Sequence, residues 1–162
     1  MGAALLLKPV ARERFSVLVF GVSQVLIDIE PLVRIIRGDT ILHGFTHSLS
    51  GALAIGAAAA VIARVPVNAW LEWFRPRQAS GVLSSPVSWS VAFFSAWIGT
   101  GTHLLFDAMM HADMHPFAPL TANNPLLGRV SLGSLHWGLM FAGVLGLALL
   151  ALREMVAART RV

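Results

Sequence analysis

The sequence has no cysteine and no tyrosine, and charged residues are scarce. Without cysteine there is no disulfide, no zinc–thiolate site and no cysteine nucleophile. An ordinary soluble domain has about 25% charged residues, whereas this 162-residue chain has 12%, with 56% hydrophobic residues. Disorder is excluded as well, because it requires low hydrophobicity and high charge. The chain is therefore typical of a membrane protein, whose chemistry must come from His, Asp, Glu, Arg, Ser or Thr.

Four long apolar runs predict an all-α fold. Their approximate limits are residues 15–36, 48–65, 88–110 and 135–152. A helix needs about 20 apolar residues to cross a bilayer. We therefore predict a polytopic membrane bundle of about four transmembrane helices, forming one domain over residues 1–162. The link between the second and third runs is bracketed by Pro66, Pro76 and Pro86, because proline disrupts helices.

The basic residues predict how the helices are oriented. Nine of the 12 basic residues precede the first run, lie between the second and third runs, or follow the fourth. They are Lys8, Arg12, Arg14, Arg64, Arg75, Arg77, Arg153, Arg159 and Arg161. Because basic residues concentrate in cytoplasmic loops, we expect both termini and the middle loop in the cytoplasm. The net charge of +4 is thus a topology signal, and no nucleic-acid partner is expected.

The histidines all fall on the opposite side, at the outer ends of the runs or in the outer loops. They are His43, His47, His103, His111, His115 and His136. His103, Asp107 and His111 are spaced four residues apart, so they form one stripe on a helix. Ionisable groups within a bilayer are costly, and those that occur usually face the bundle interior and have a function.

These residues predict a metal site at the outer ends of the helices. The candidate ligands are Asp28, Glu30, His43, His47, His103 and Asp107. Imidazole and carboxylate ligands favour zinc, with manganese or iron as alternatives, and this many ligands can hold one or two ions. His111, Asp113 and His115 are candidate general acids or bases, since imidazole titrates near neutral pH. Arg34 and Arg37 are candidates for binding a substrate phosphate, because guanidinium matches phosphate oxygens.

Simpler interpretations remain open for several of these residues. A buried histidine usually satisfies its hydrogen bonds within a core, which is what we expect of His136. Asp39 follows Gly38, a pair that is typical of a turn or a helix cap. The two candidate phosphate-binding arginines also fit as simple anchors at the membrane interface, and the loop residues Asp113 and His115 also fit as ordinary polar loop positions.

Three short blocks resemble the membrane-bound metal-dependent hydrolase family, also described as LexA-binding, inner-membrane-associated hydrolases. Asp28-Ile29-Glu30 is similar to the family's Asp-x-Asp, residues 43–48 to its His-Arg-Gly-x-Thr-His-Ser, and residues 102–107 to its Ser-His-x-x-x-Asp. A proline-containing loop follows at residues 113–119. The sequence differs from the family pattern by a Glu for the second Asp, by the missing Arg before Gly44, and by a Thr for the Ser.

The resemblance implies a helical protein of the bacterial inner membrane that acts as a metal-dependent hydrolase. A site at the membrane interface suits a lipid-linked or phosphoester substrate, with its head group at the metal and its tail in the bilayer. Self-association into a homo-oligomer is left open. One alternative is a non-enzymatic metal carrier or sensor. The other is a metal-free lipid-phosphate phosphatase, although the Pro-Ser-Gly-His block of such enzymes is absent.

Overall fold

The structure, a computed structural model, describes residues 2–74 and 86–159. Within these ranges all regular secondary structure is helical, as the sequence predicts. The helices α1 to α6 comprise Gly2–Ala11, Val17–Ile27, Ile29–Arg37, Leu49–Trp73, Trp89–Met110 and Leu132–Arg159. Two short 3-10 turns lie at Arg12–Arg14 and Phe45–His47. Four of the residues from which the loops and the orientation are predicted lie outside the described residues, namely Arg75, Pro76, Arg77 and Arg161.

Serine side chains cap the first turns of α2, α4 and α5. The hydroxyl oxygens of Ser16, Ser48 and Ser88 each accept a hydrogen bond from the backbone N–H three residues later, at 3.4, 3.1 and 3.3 Å. The first N–H groups of a helix have no partner within the helix, and serine is among the residues that satisfy them best. These caps therefore define where the three bundle helices begin.

The first predicted span, residues 15–36, is broken in the structure at Asp28. Helix α2 ends at Ile27 and α3 begins at Ile29, with Asp28 between them at φ −82° and ψ −4°. Pro31 accounts for the break, because proline lacks the N–H that would bond to the carbonyl of Ile27 and is tolerated only in the first turn of a helix. The break leaves the Asp28 side chain at the end of α2, beside α5.

The helix that corresponds to the second predicted span is longer than predicted. Helix α4 runs over Leu49–Trp73 and contains Pro66, so the expectation that this proline marks a loop is wrong. A single proline removes one backbone hydrogen bond, which helices in membrane proteins tolerate. Nearby, the Asn68 side chain accepts a hydrogen bond from the Val87 N–H at 2.7 Å and donates one to the Val87 carbonyl at 3.2 Å. This pair joins α4 to the segment that leads into α5.

In the part of the chain that the structure describes, two helices are long and apolar enough to cross a membrane. They are α4 and the Leu132–Ala157 part of α6, which overlap the second and fourth predicted spans. Helix α2 has only 11 residues and α3 only nine, and α5, over Trp89–Met110, coincides with the third predicted span without meeting the same criterion. The prediction of four spans is thus supported for two helices, by length and composition.

Helices α2, α4 and α5 pack together into a three-helix bundle, while α6 packs mainly against α1. Small side chains dominate the bundle core, which contains Val19, Ala59, Ala60, Ala63, Val67, Val87, Ala92 and Ala96. Small residues allow close approach of helices, which is how helices associate in a membrane. A second apolar cluster lies at the end of the bundle that carries the candidate site, and it contains Ile27, Ala52, Leu104, Ala108 and Met114.

Gly99 allows a test of this close packing. A Cβ atom at Gly99 would collide with the hydroxyl of Ser23 on α2, whereas a Cβ at Gly101 on the same helix would meet nothing within 4 Å. We expect Gly99→Leu to destabilise the purified protein by about 1–3 kcal/mol, since overpacking separates the helices. Thermal unfolding in detergent measures the effect, with Gly101→Leu as the control. Equal melting temperatures for the two variants would contradict the packing of α2 on α5.

Candidate metal centre

Four ionisable side chains meet at one end of the three-helix bundle. Asp28 lies at the break between α2 and α3, His47 in the 3-10 turn before α4, and His103 and Asp107 one turn apart on α5. One ligand atom from each of these residues lies within 4.8 Å of all the others, so this central group is geometrically able to hold a metal ion. The four residues are among the six ligands that the sequence suggests.

The two histidines present their Nε2 atoms to the same pair of carboxylate oxygens. His103 Nε2 lies 3.1 Å from Asp28 Oδ1 and 3.0 Å from Asp107 Oδ2. His47 Nε2 lies 3.7 Å and 3.5 Å from the same two oxygens, which is too far for a good hydrogen bond. His47 is fully buried, and its Nε2 has no hydrogen-bond partner among the described residues.

A buried polar atom without a partner requires an explanation. Leaving one unsatisfied costs about 1–3 kcal/mol, and native proteins contain few of them. The His47 Nε2 atom is also not randomly placed, since it points between two carboxylates and beside a second imidazole nitrogen. A metal ion held by this group would give the atom a partner.

The other ring nitrogen of His47 is held by Thr46. The Thr46 hydroxyl lies 2.8 Å from Glu30 Oε2 and 3.0 Å from His47 Nδ1. A hydroxyl has one hydrogen, and a carboxylate can only accept, so Thr46 donates to Glu30 and accepts from the Nδ1–H of His47. The neutral ring then carries its lone pair on Nε2, the atom that faces the centre.

His103 is oriented in the same way by Gln24 of α2. The Gln24 amide nitrogen donates to the carbonyl of Gly99 at 2.6 Å, which directs the amide oxygen to His103 Nδ1 at 3.3 Å. An amide oxygen is an acceptor, so Nδ1 carries the hydrogen and Nε2 is left for the centre. Metal-binding histidines typically donate their other N–H to such a partner, which fixes the tautomer and the ring orientation.

Glu30, a suggested metal ligand, lies outside the central group. Its Oε2 accepts hydrogen bonds from the backbone N–H and the hydroxyl of Thr46, at 2.7 and 2.8 Å, and its Oε1 pairs with Arg34 at 2.8 Å. Both oxygens are therefore engaged away from the centre. Gly44 makes this possible, since a Cβ there would collide with the Glu30 carboxylate and the Arg34 guanidinium. Glu30 supports Thr46, and through it His47.

The two arginines suggested for phosphate binding lie on α3. Arg34 is held by Glu30 and also donates to the Ile41 carbonyl at 3.2 Å. The Arg37 side chain is 70% exposed and lies 3.8 Å from Asp39. Both arginines line one open cleft of about 400 Å³, together with Glu30, Val33 and Asp39. The walls of the cleft thus present two guanidinium groups to an anion, next to the carboxylates of Glu30 and Asp39.

A second group of possible ligands consists of His43, His111 and Asp113. Asp113 Oδ2 accepts the backbone N–H groups of Leu42 and His43 at 2.8 and 3.1 Å, and its Oδ1 lies 2.9 Å from His43 Nδ1. Burial opposes ionisation, but these hydrogen bonds from His43 and Leu42 hold the pKa of Asp113 well below its usual range. Asp113 is therefore a carboxylate at neutral pH, and its role as an acid or base in catalysis stays a prediction.

Imidazole rings connect the two groups. The ring centroids of His111 and His43 are 4.4 Å apart, those of His43 and His47 are 4.8 Å apart, and those of His47 and His103 are 5.5 Å apart. This histidine row begins at the exposed His111 and ends at the central group. It gives the buried end of the site a continuous polar connection to the surface.

The remaining two histidines belong to neither group. His115 Nδ1 lies 2.7 Å from the Ala122 carbonyl, and His136 Nδ1 lies 2.8 Å from the Leu132 carbonyl. A carbonyl only accepts, so both rings donate from Nδ1. His136 thus satisfies one nitrogen locally, although it is exposed and not a core residue. His115, suggested as an acid or base, stays a prediction without a place in the described groups.

Sequence reasoning did not select Gln24 or Thr46 as parts of the site. A usable signal exists for both: Gln24 lies one helical turn before Asp28 in an apolar segment, and Thr46 directly precedes His47. Polar residues at such positions commonly orient metal ligands. The backbone amides that hold Asp113 have no side-chain signature, so nothing in the sequence points to them.

No protein-family model, no curated protein and no solved structure matches this chain. The chemistry of the centre therefore follows from its donor atoms. Two imidazole nitrogens and two carboxylate oxygens suit divalent ions that accept both nitrogen and oxygen, such as zinc, manganese and iron.

Removing the supporting hydrogen bonds tests the centre. We expect Thr46→Val and Gln24→Leu each to weaken zinc binding about 10- to 100-fold, because the ligand rings lose the partner that sets their tautomer. Competition with a chelator measures the affinity. Thr102→Val is the matched control, since the Thr102 hydroxyl donates only to carbonyls of its own helix, at 2.7 and 3.1 Å. Unchanged affinity in both test variants would show that these contacts do not support a metal.

Proposed function

We propose that this chain is a membrane-embedded metal-dependent hydrolase whose ion is held by Asp28, His47, His103 and Asp107. The proposal depends above all on the buried Nε2 of His47, which faces two carboxylates at 3.5 and 3.7 Å and has no hydrogen-bond partner among the described residues. The hydrogen bonds from His47 Nδ1 to Thr46 and from His103 Nδ1 to Gln24 add support. They leave the Nε2 lone pair of each ring available to an ion.

The exposure of the ligands favours a reactive site over a closed structural one. The Asp28 side chain is 52% exposed, whereas those of His103 and Asp107 are 12% and 14% exposed and that of His47 is fully buried. The centre is thus open on the Asp28 side, as catalytic metal sites are. When bound, a divalent ion supplies Lewis acidity, which polarises the bond to be cleaved and acidifies water.

The chain's own residues then have distinct tasks. Thr46 and Gln24 fix the two imidazole rings, and Glu30 fixes Thr46 through two hydrogen bonds. The second group, His43, His111 and Asp113, offers three further ligand atoms. It accommodates a second ion or orients the substrate next to the first.

A lipid-linked phosphoester is the substrate class we propose. Helix α3 is amphipathic: Arg34 and Arg37 line the open cleft, while Ile36 is 77% exposed on the same short helix. Such a helix lies well at a membrane surface, with its apolar face in the acyl region. A phosphate in the cleft would contact guanidinium groups, and its lipid tail would remain beside α3.

We also propose that α2 and α5 complete a four-helix membrane domain with α4 and α6 in the bacterial inner membrane. In this arrangement the metal centre faces outward and α6 ends in the cytoplasm, while α1 runs parallel to α6 and beside it, with Gly2 next to Leu139 and Pro9 next to Arg153. Exposed apolar side chains on α6 support contact with lipid, among them Trp137, Phe141 and Val144 at 69%, 70% and 62% exposure. The basic residues at the opposite end from the histidines support the orientation.

Metal content tests the centre directly. We expect detergent-purified protein to contain one or two equivalents of zinc, manganese or iron by elemental mass spectrometry. His47→Ala and Asp107→Ala should each lose one equivalent of metal and the ability to hydrolyse lipid phosphates. His136→Ala is the control, because His136 belongs to neither group of possible ligands, and this variant should keep its metal and its activity. If neither test variant loses metal, the centre is misassigned. Retained metal without any hydrolysis of the phosphoesters would favour a carrier or sensor.

The absence of cysteine makes the topology easy to test. Any introduced cysteine is the only thiol in the chain, and the unmodified protein is the unlabelled control. We expect Leu120→Cys, at a side chain that is 92% exposed between α5 and α6, to react with a membrane-impermeant thiol reagent added from outside. Arg159→Cys, at the end of α6, should react only after the membrane is disrupted. The reverse pattern would refute the orientation.

A further inference from the structure

Two adjoining cavities lie at the end of the three-helix bundle opposite the metal centre. One, of about 340 Å³, is mainly apolar, and its walls include Phe15, Leu18, Trp70, Val91, Leu147 and Leu150. The other, of about 620 Å³, is lined by Val10, Ala11, Arg12, Glu13, Arg14 and Arg153. Glu13 lines both cavities, so the apolar and the basic chamber are neighbours.

The basic chamber contains three guanidinium groups and a single carboxylate. Among residues 2–74 and 86–159, none of these arginines is within 4.0 Å of a carboxylate oxygen. Arg153 donates one hydrogen bond to the Pro9 carbonyl at 2.8 Å, and a guanidinium has five N–H donors. The chamber therefore has cationic donor groups in excess of the acceptors around it, as a site for an anion requires.

A buried lysine holds the turn that carries Arg12 and Arg14. Lys8 is only 5% exposed, and its Nζ donates to the Arg12 and Phe15 carbonyls at 2.8 and 2.6 Å. Arg12 has a φ of 55°, a left-handed conformation that residues other than glycine rarely adopt. Strained residues of this kind persist only where surrounding contacts hold them, and they cluster at functional sites. The lysine thus holds the turn that places both arginines in the basic chamber, which adjoins the apolar one.

We propose that these two cavities bind an anionic phospholipid, with its phosphate on Arg12, Arg14 and Arg153 and an acyl chain in the apolar chamber. An acyl chain matches the apolar walls, and the phosphate matches the unpaired guanidinium groups next to them. Basic pockets between helices on the cytoplasmic side of membrane proteins bind anionic lipid head groups in this way. The inference rests on the membrane location proposed above, but it is independent of the metal and of hydrolysis.

Lipid retention by the full chain tests this site. The protein is purified in detergent and examined by native mass spectrometry with added phosphatidylglycerol or phosphatidylcholine. We expect preferential retention of phosphatidylglycerol, and we expect Arg14→Gln to reduce it about fivefold, the loss of one surface cation near an anionic lipid. Arg14→Lys should keep most of the retention. Arg159→Gln is the matched control, because it removes the same charge at the same end of the chain and lines neither cavity.

Three results would overturn the proposal. If Arg14→Gln and Arg159→Gln lose phosphatidylglycerol equally, the attraction is a general effect of charge. If the unmodified protein retains the two lipids equally, the cavities form a non-selective apolar groove. If millimolar inorganic phosphate displaces bound phosphatidylglycerol, the basic chamber is a site for soluble anions. The metal content of Arg14→Gln, which we expect to be unchanged, separates a failure here from a failure of the metal centre.

Discussion

Two imidazole nitrogens and two carboxylate oxygens face one another at the end of the helix bundle, close enough to hold one cation between them. Burial of an uncompensated carboxylate is costly, so a cation shared by these groups would stabilise them. Much of the local architecture brings these four groups together: the Pro31 break places Asp28, the Ser48 cap places the turn with His47, and one turn of α5 separates His103 from Asp107.

Helix packing and ligand orientation depend on each other in this protein. Gly99 allows α2 to approach α5, since a side chain there would collide with Ser23. The carbonyl of the same residue accepts the hydrogen bond that turns the Gln24 amide oxygen toward His103. A change in the distance between the two helices would therefore also move the partner that sets the His103 tautomer. Thr46 and Glu30 play the corresponding part for His47.

Periodicity and residue type are enough to predict the helical class and the pairing of His103 with Asp107, because both follow from spacing along one helix. Periodicity and residue type do not show whether Asp28 or Glu30 reaches the centre. Asp28 and Glu30 are two residues apart, and only the helix break between them directs Asp28 to α5 and Glu30 to Thr46. The packing of α6 on α1 cannot be predicted from the sequence either. Apolar residues lie on all sides of α6, so no single face indicates which helix it contacts.

The pairing of α1 with α6 has a consequence for biosynthesis. Every residue of the central and second groups lies between Asp28 and Asp113, so all ligands have been synthesised before α6 begins at Leu132. Chains fold from the N-terminal side as they emerge, at about 5–20 residues per second. The candidate ligands are therefore all present while α1 still lacks its main partner, which arrives with the last helix. A nascent chain arrested before α6 would thus contain every candidate ligand and an incompletely covered first helix.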